Sequence, residues 1–107
     1  LPVYKEEEGS YQVRSIFFYF IHRNFEVYET KIEPGERCES FLTEGSVCEY
    51  IMVLQGKLTL ETKDEIYEVD ANHAIKIEAG RSHYYRNKGT EELVLNIFVA
   101  FETVCIK

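Results

Sequence analysis

The stretch Gly45-Ser46-Val47-Cys48-Glu49-Tyr50-Ile51-Met52-Val53-Leu54-Gln55-Gly56-Lys57-Leu58-Thr59-Leu60 reads as two alternating strands joined at Gln55-Gly56. Side chains of a strand point to opposite faces in turn. Glu49, Ile51 and Val53 therefore share one face, and Cys48, Tyr50 and Met52 share the other. A carboxylate on the face of Ile51 and Val53 is a physical oddity, because burying it among apolar groups is costly. Two places relieve that cost: a polar cavity, or a strand end open to water.

The two-residue period continues outward from this stretch. It predicts strands over 12–20, 25–32, 38–42, 47–54, 57–61, 66–69, 73–77, 83–86 and 93–102. Turn chemistry separates them, at Arg23-Asn24, Glu33-Pro34-Gly35-Glu36, Lys63-Asp64, Asp70-Ala71-Asn72, Ala79-Gly80 and Asn87-Lys88-Gly89. No segment keeps a 3.6-residue period for more than two turns. Many short strands at this spacing predict an all-β sandwich or barrel. The chain has 107 residues, 45% of them hydrophobic, enough for one domain with one core. Residues 1–10, with the run Lys5-Glu6-Glu7-Glu8-Gly9, read as a solvated linker or arm, and 11–107 as the barrel.

Charge and composition exclude several roles. The net charge is −7, which repels a phosphate backbone, so no direct nucleic-acid contact is expected of this domain. The longest apolar run, 16–21, is six residues, far short of a membrane span. The opening Leu1-Pro2-Val3-Tyr4 has no signal-peptide pattern, and Cys38, Cys48 and Cys105 are odd in number with no CxxC spacing. Free thiols in a reducing cytoplasm are the expectation. A first residue other than methionine suggests processing or a piece of a longer protein. Residues 14–20 and 93–101 are apolar at nearly every position, so both their faces need cover. For so small a domain the expected cover is a second copy, a homodimer.

A second stretch, Asn72-His73-Ala74-Ile75-Lys76-Ile77-Glu78-Ala79-Gly80-Arg81-Ser82-His83-Tyr84-Tyr85-Arg86-Asn87, places His83, Tyr85 and Asn87 on one face. His83 is the candidate for lining a pocket. A structural role for this histidine stands beside that reading. His73 has no assigned place, and His22 reads as a turn residue.

Together the two stretches resemble the motifs of the cupin superfamily, small double-stranded β-helix (jelly-roll) barrels built around a ligand cavity. The resemblance runs from about 27 to 98. Pro34-Gly35 matches the opening turn, Glu49 and Gly56 the glutamate and glycine, and Ala79-Gly80, His83 and Asn87 the end of the second motif. The resemblance implies a cavity lined by Glu49, His83, Tyr85, Ile51 and Asn87. It also implies a metal held by three histidines and a glutamate, but Leu42, Thr43, Glu44 and Gly45 stand where the first two histidines belong. The usual Gly-Asp is Asn72-His73, and the usual proline is Glu78. Two protein ligands rarely hold a transition metal tightly. The expectation is therefore no metal and no cofactor. Were a metal bound, its ligands would be Glu49, His83 and Glu44.

Within the superfamily the pattern is most similar to the C-terminal sensor domains of regulators with an N-terminal helix-turn-helix of the XRE type. That implies a cytoplasmic domain that binds a small-molecule effector and dimerises, while a missing helix-turn-helix binds DNA. Two alternatives stay open: a small metal-dependent cupin enzyme of dioxygenase or isomerase type, and a barrel that only dimerises.

Overall fold

Branched and aromatic side chains alternating with polar ones favour pleated sheet over helix, and the described residues follow that preference. The computed structural model describes residues 5–7, 11–17, 25–40, 45–78 and 82–101, with only the backbone at 5–7 and 15–17. Ten strands form among them: β1 Lys5–Glu7, β2 Tyr11–Phe17, β3 Phe25–Ile32, β4 Arg37–Glu39, β5 Cys48–Gln55, β6 Lys57–Thr62, β7 Ile66–Asp70, β8 Ala74–Glu78, β9 His83–Arg86 and β10 Leu93–Ala100. They build two antiparallel sheets, ordered β1-β2-β3-β10-β5-β8 and β4-β9-β6-β7. This is a small jelly-roll sandwich, the all-β fold that the alternation predicts.

Nine of the ten strands coincide with predicted ones. The tenth lies in the segment expected as a linker or arm: Lys5–Glu7 pairs with β2 in the register Lys5↔Arg14, Glu6↔Val13, Glu7↔Gln12. A sheet edge offers unpaired N–H and C=O groups, and these pair with backbone whatever the charge of the side chains above it. His73 lies in the β7–β8 turn, not in a strand. The predicted turns at Arg23-Asn24 and Ala79-Gly80, Cys105, His22, and parts of the predicted strands at 12–20, 38–42 and 93–102 lie outside the described residues.

The core sits between the sheets. One layer supplies Ile32, Ile51, Val53, Leu93, Leu95 and Ile97, and the other supplies Cys38, Leu58, Leu60, Val69 and Tyr85. Each fully buried branched side chain of this kind contributes about 1.5–3 kcal/mol. Gly56 ends the first motif for two reasons. Its φ is +83°, and a Cβ there would meet Glu92 O at 3.2 Å and Leu93 Cα at 3.3 Å, both backbone atoms that cannot swing aside. The turn after β7 passes through Asn72 at φ 67°, and Asn72 N–H donates to Val53 O at 2.7 Å. That bond fixes the start of β8 against β5.

Candidate functional site

Cross-strand register places the inward polar groups. Glu49 on β5 lies opposite Val99 on one side and Ile77 on the other. Val99 in turn lies opposite Glu26 of β3. In the facing sheet Tyr85 lies between Cys38 and Leu60, and His83 lies opposite Thr62. Inward-pointing side chains from the two sheets meet across the core.

Three of the five residues expected at the site converge. The Tyr85 hydroxyl donates to Glu49 Oε1 at 2.6 Å. His83 Nε2 lies 3.0 Å from the same hydroxyl and 3.6 Å from Glu49 Oε2. All three are buried, Glu49 at 6% exposure, His83 at 2% and Tyr85 at 0%. The proton positions follow from donor counting. Because the phenol spends its proton on the carboxylate, its oxygen can only accept from His83. His83 Nε2 therefore carries a hydrogen. Burial, then the charge and hydrogen bond of Glu49, then Cys38, push the Tyr85 pKa well above its ordinary value. The phenol is locked as a donor.

The other two expected residues go elsewhere. Ile51 is part of the apolar core. Asn87 is fully buried and spends its amide on backbone, donating to Ile32 O at 2.9 Å and Glu91 O at 2.8 Å and accepting from Gly89 N–H at 2.9 Å. Its own backbone accepts from Gly35 N–H and donates to Glu36 O. Asn87 is thus a staple between the β3–β4 turn and the β9–β10 loop, and it does not join the Glu49 cluster.

A cavity of about 360 Å³ opens where the edge strands β7 and β8 of the two sheets face each other. Its walls are Tyr67, Ile75 and Ile77, with Thr62, Glu65, Lys76 and Glu78 also lining it and His83 reaching it from the interior. Glu49 and Tyr85 lie behind His83. The volume lies in the range of small-molecule pockets.

Sequence reasoning did not single out several contributors. Ser40 is buried and holds both sides of the His83 backbone: its N–H donates to His83 O at 2.8 Å, and its Oγ accepts from His83 N–H at 3.2 Å. Glu26 is a second buried carboxylate, accepting from Tyr28 Oη at 2.8 Å. Tyr67 shares a face with Val69, and that alternation is the one signal that could have marked it as a wall. Outside the barrel, Phe98 stacks on Phe25 at 4.9 Å and meets Tyr50 edge-on at 5.9 Å, while the Lys76 ammonium lies 5.7 Å from the Tyr50 ring.

Among the described residues no three His, Cys, Asp or Glu side chains group as a metal site. Glu44, the third oxygen considered from sequence, lies outside the described residues. Cys38 and Cys48 are both buried. No helix among the described residues is long and apolar enough to cross a membrane.

Comparison with known proteins agrees with the fold. Residues 28–101 match the cupin domain family Cupin_2. No curated protein matches the chain. Among solved structures, the chain is similar to the Cupin_2 domain of an XRE family transcriptional regulator from Enterobacter cloacae, with a TM-score of 0.78 at 19% identity over 87% of this chain and 98% of that one. It is also similar to an HTH_3 family transcriptional regulator from Vibrio cholerae, with a TM-score of 0.73 at 22% identity, covering 87% of this chain and 52% of that one. The cupin domain of Schizosaccharomyces pombe Cnp3 gives a TM-score of 0.75 at 16% identity over 95% of this chain and 71% of that one.

Proposed function

This chain belongs to the cupin family, and from that premise we propose that it is the effector-binding and dimerising domain of a transcription regulator. The observation that carries the reading is the cavity itself: a small-molecule volume with a buried imidazole at its inner wall, backed by a buried carboxylate and phenol. Two of the similar structures come from transcriptional regulators, and the chain spans about half of the Vibrio cholerae one. That leaves room in such a protein for a separate DNA-binding part, as the net charge of −7 requires.

The mechanism is linkage. An effector shifts DNA affinity only by binding one dimer geometry better than another. Strand β8 is placed to carry that difference. Ile75 and Ile77 face the cavity, while Lys76 between them reaches over Tyr50 on the outer aromatic row of Tyr50, Phe98 and Phe25. The outer face also exposes Met52 and Leu54. A second copy covers this face in our reading. A ligand that pushes β8 outward then alters the surface on which the two copies meet.

The test is a thermal-shift screen of small amines, alcohols and acids, followed by calorimetry on the hits and light scattering with and without them. A hit should lose its affinity in His83→Ala. It should weaken by about 1.5–3 kcal/mol in Glu49→Gln if the ligand depends on the charge of that carboxylate. The free domain should scatter as a dimer. A ligand that binds wild type and both variants alike would place its site outside this cavity, and a monomer at micromolar concentration would remove the dimer from the mechanism.

A further inference from the structure

We propose that the Tyr85 hydroxyl stands where a metal ion would sit in this barrel, so that Glu49 and His83 are joined through protons instead of through a cation. A carboxylate oxygen and an imidazole nitrogen from opposite sheets aim at one point, and the phenol oxygen occupies it, 2.6 Å from Glu49 Oε1 and 3.0 Å from His83 Nε2. Glu49 Oε2 and His83 Nε2 are 3.6 Å apart. That is a span two ligands of one ion adopt when each bond is about 2.0–2.2 Å. The pair has the spacing of metal ligands, and the phenol hydroxyl that bonds the carboxylate through Oε1 and the imidazole through Nε2 stands against it.

Protonation works in the same direction. His83 Nε2 carries a hydrogen in this network, so it offers no lone pair toward that point. An entering ion would have to move the ring, shift the histidine proton and find a third ligand, and the described residues supply no cluster of three. The residue at position 85 is thus a positive reason for a metal-free site, additional to the missing histidine pair. This inference concerns the triad alone, and it holds or fails whether or not an effector enters the cavity.

A substitution can reverse it. An imidazole at position 85 reaches about 2 Å less far than a phenol, roughly the length of one metal–nitrogen bond. Tyr85→His therefore points a nitrogen at the vacated position and completes a set of two histidines and one carboxylate. The experiment loads wild type, Tyr85→His and the double variant Tyr85→His/His83→Gln with Zn²⁺ or Co²⁺, dialyses them, and measures retained metal and the visible Co²⁺ bands. Tyr85→His should retain about one equivalent and show the bands, and wild type and the double variant should do neither. Wild type retaining an equivalent that Glu49→Gln or His83→Gln abolishes would overturn the proposal. So would a folded Tyr85→His protein that binds no better than wild type. Should circular dichroism show that Tyr85→His does not fold, ¹⁵N spectra of the wild-type His83 ring decide. The Nε2–H tautomer should persist at millimolar Zn²⁺, and its conversion to a metal-bound nitrogen would overturn the proposal.

Discussion

Strand β9 begins and ends in buried polar residues that solve the same problem differently. At its start, His83 meets side chains through Nε2, Tyr85 and through it Glu49, and borders a cavity. Just past its end, Asn87 satisfies its amide on three backbone groups, one at the end of β3 and two in the β9–β10 loop. Side-chain partners can rearrange around a ligand at modest cost, whereas backbone partners cannot move without unmaking the loops. Two residues of one motif, four positions apart on one face, thus divide into an end that borders the cavity and an end that holds backbone.

The strongest way to break that division is Asn87→Ala. Three hydrogen bonds go, and the buried Ile32 carbonyl loses a partner along with backbone groups of Gly89 and Glu91, so the domain should lose about 3 kcal/mol in urea unfolding. Asn87→Asp sharpens the point. It keeps an acceptor for Gly89 but loses both donors, and it should remain well below wild type. Cavity affinity in the folded fraction should not change in either variant. An Asn87 variant of wild-type stability that loses ligand would reverse the assignment.

At the other end, Tyr85→Phe removes one hydroxyl and leaves Glu49 Oε1 and His83 Nε2 without their shared partner. The expected cost is about 1–3 kcal/mol, measured in the same way. A gain in stability would mean that the triad is a burden the core carries for recognition alone.

The pH dependence is smaller and has a definite sign. Tyr85 has a raised pKa in the folded chain, while an unfolded tyrosine ionises near pH 10. Folding therefore favours the protonated phenol. Its contribution is complete below about pH 10 and is lost as pH climbs toward the folded pKa. The urea midpoint of wild type should fall above about pH 10, and that of Tyr85→Phe should fall less steeply. Parallel curves would show that the phenol is not held in its protonated form.

The outer side of the same strand supplies the smallest effect. Tyr84 carries the Arg37 guanidinium 4.4 Å from its ring centre, and Arg86 pairs with Glu61 at 3.1 Å. Tyr84 precedes Tyr85 by one residue yet lies on the solvent side of the sheet. Glu61→Gln and Tyr84→Leu should each cost less than about 1 kcal/mol. A larger loss in added salt-free buffer than in high salt would fit a screened surface pair.

The fold was legible because alternation is a local property. Glu49 and Ile51 could be placed on one face from their spacing alone, and so could His83 and Tyr85. Which strands stand opposite one another is not local. Nothing in the period of 48–55 says that its neighbours are β10 and β8, or that Tyr85 would come from the other sheet to within 2.6 Å of Glu49. The cavity walls were missed for that reason: Tyr67, Ile75 and Ile77 become walls only when β7 and β8 are set edge to edge. Asn87 was grouped with His83 by face, and face does not distinguish a side chain aimed at a cavity from one aimed at two loops. The strand Lys5–Glu7 was missed because a three-residue pairing made by backbone leaves no side-chain period to read.

The position of β10 has a consequence for synthesis. Leu93–Ala100 lies between β3 and β5 in the six-stranded sheet, so the middle of that sheet comes from the last of the described strands. A nascent chain on the ribosome can pair β6 with β7 early, but β3 and β5 then face each other across an empty lane. Both carry unsatisfied edges until residue 100 has left the exit tunnel. Translation proceeds at about 5–20 residues per second, which leaves those edges open for seconds. The sheet closes around its final strand in one late step, and a ribosome stalled before Leu93 would present two sticky strand edges where the finished protein has none.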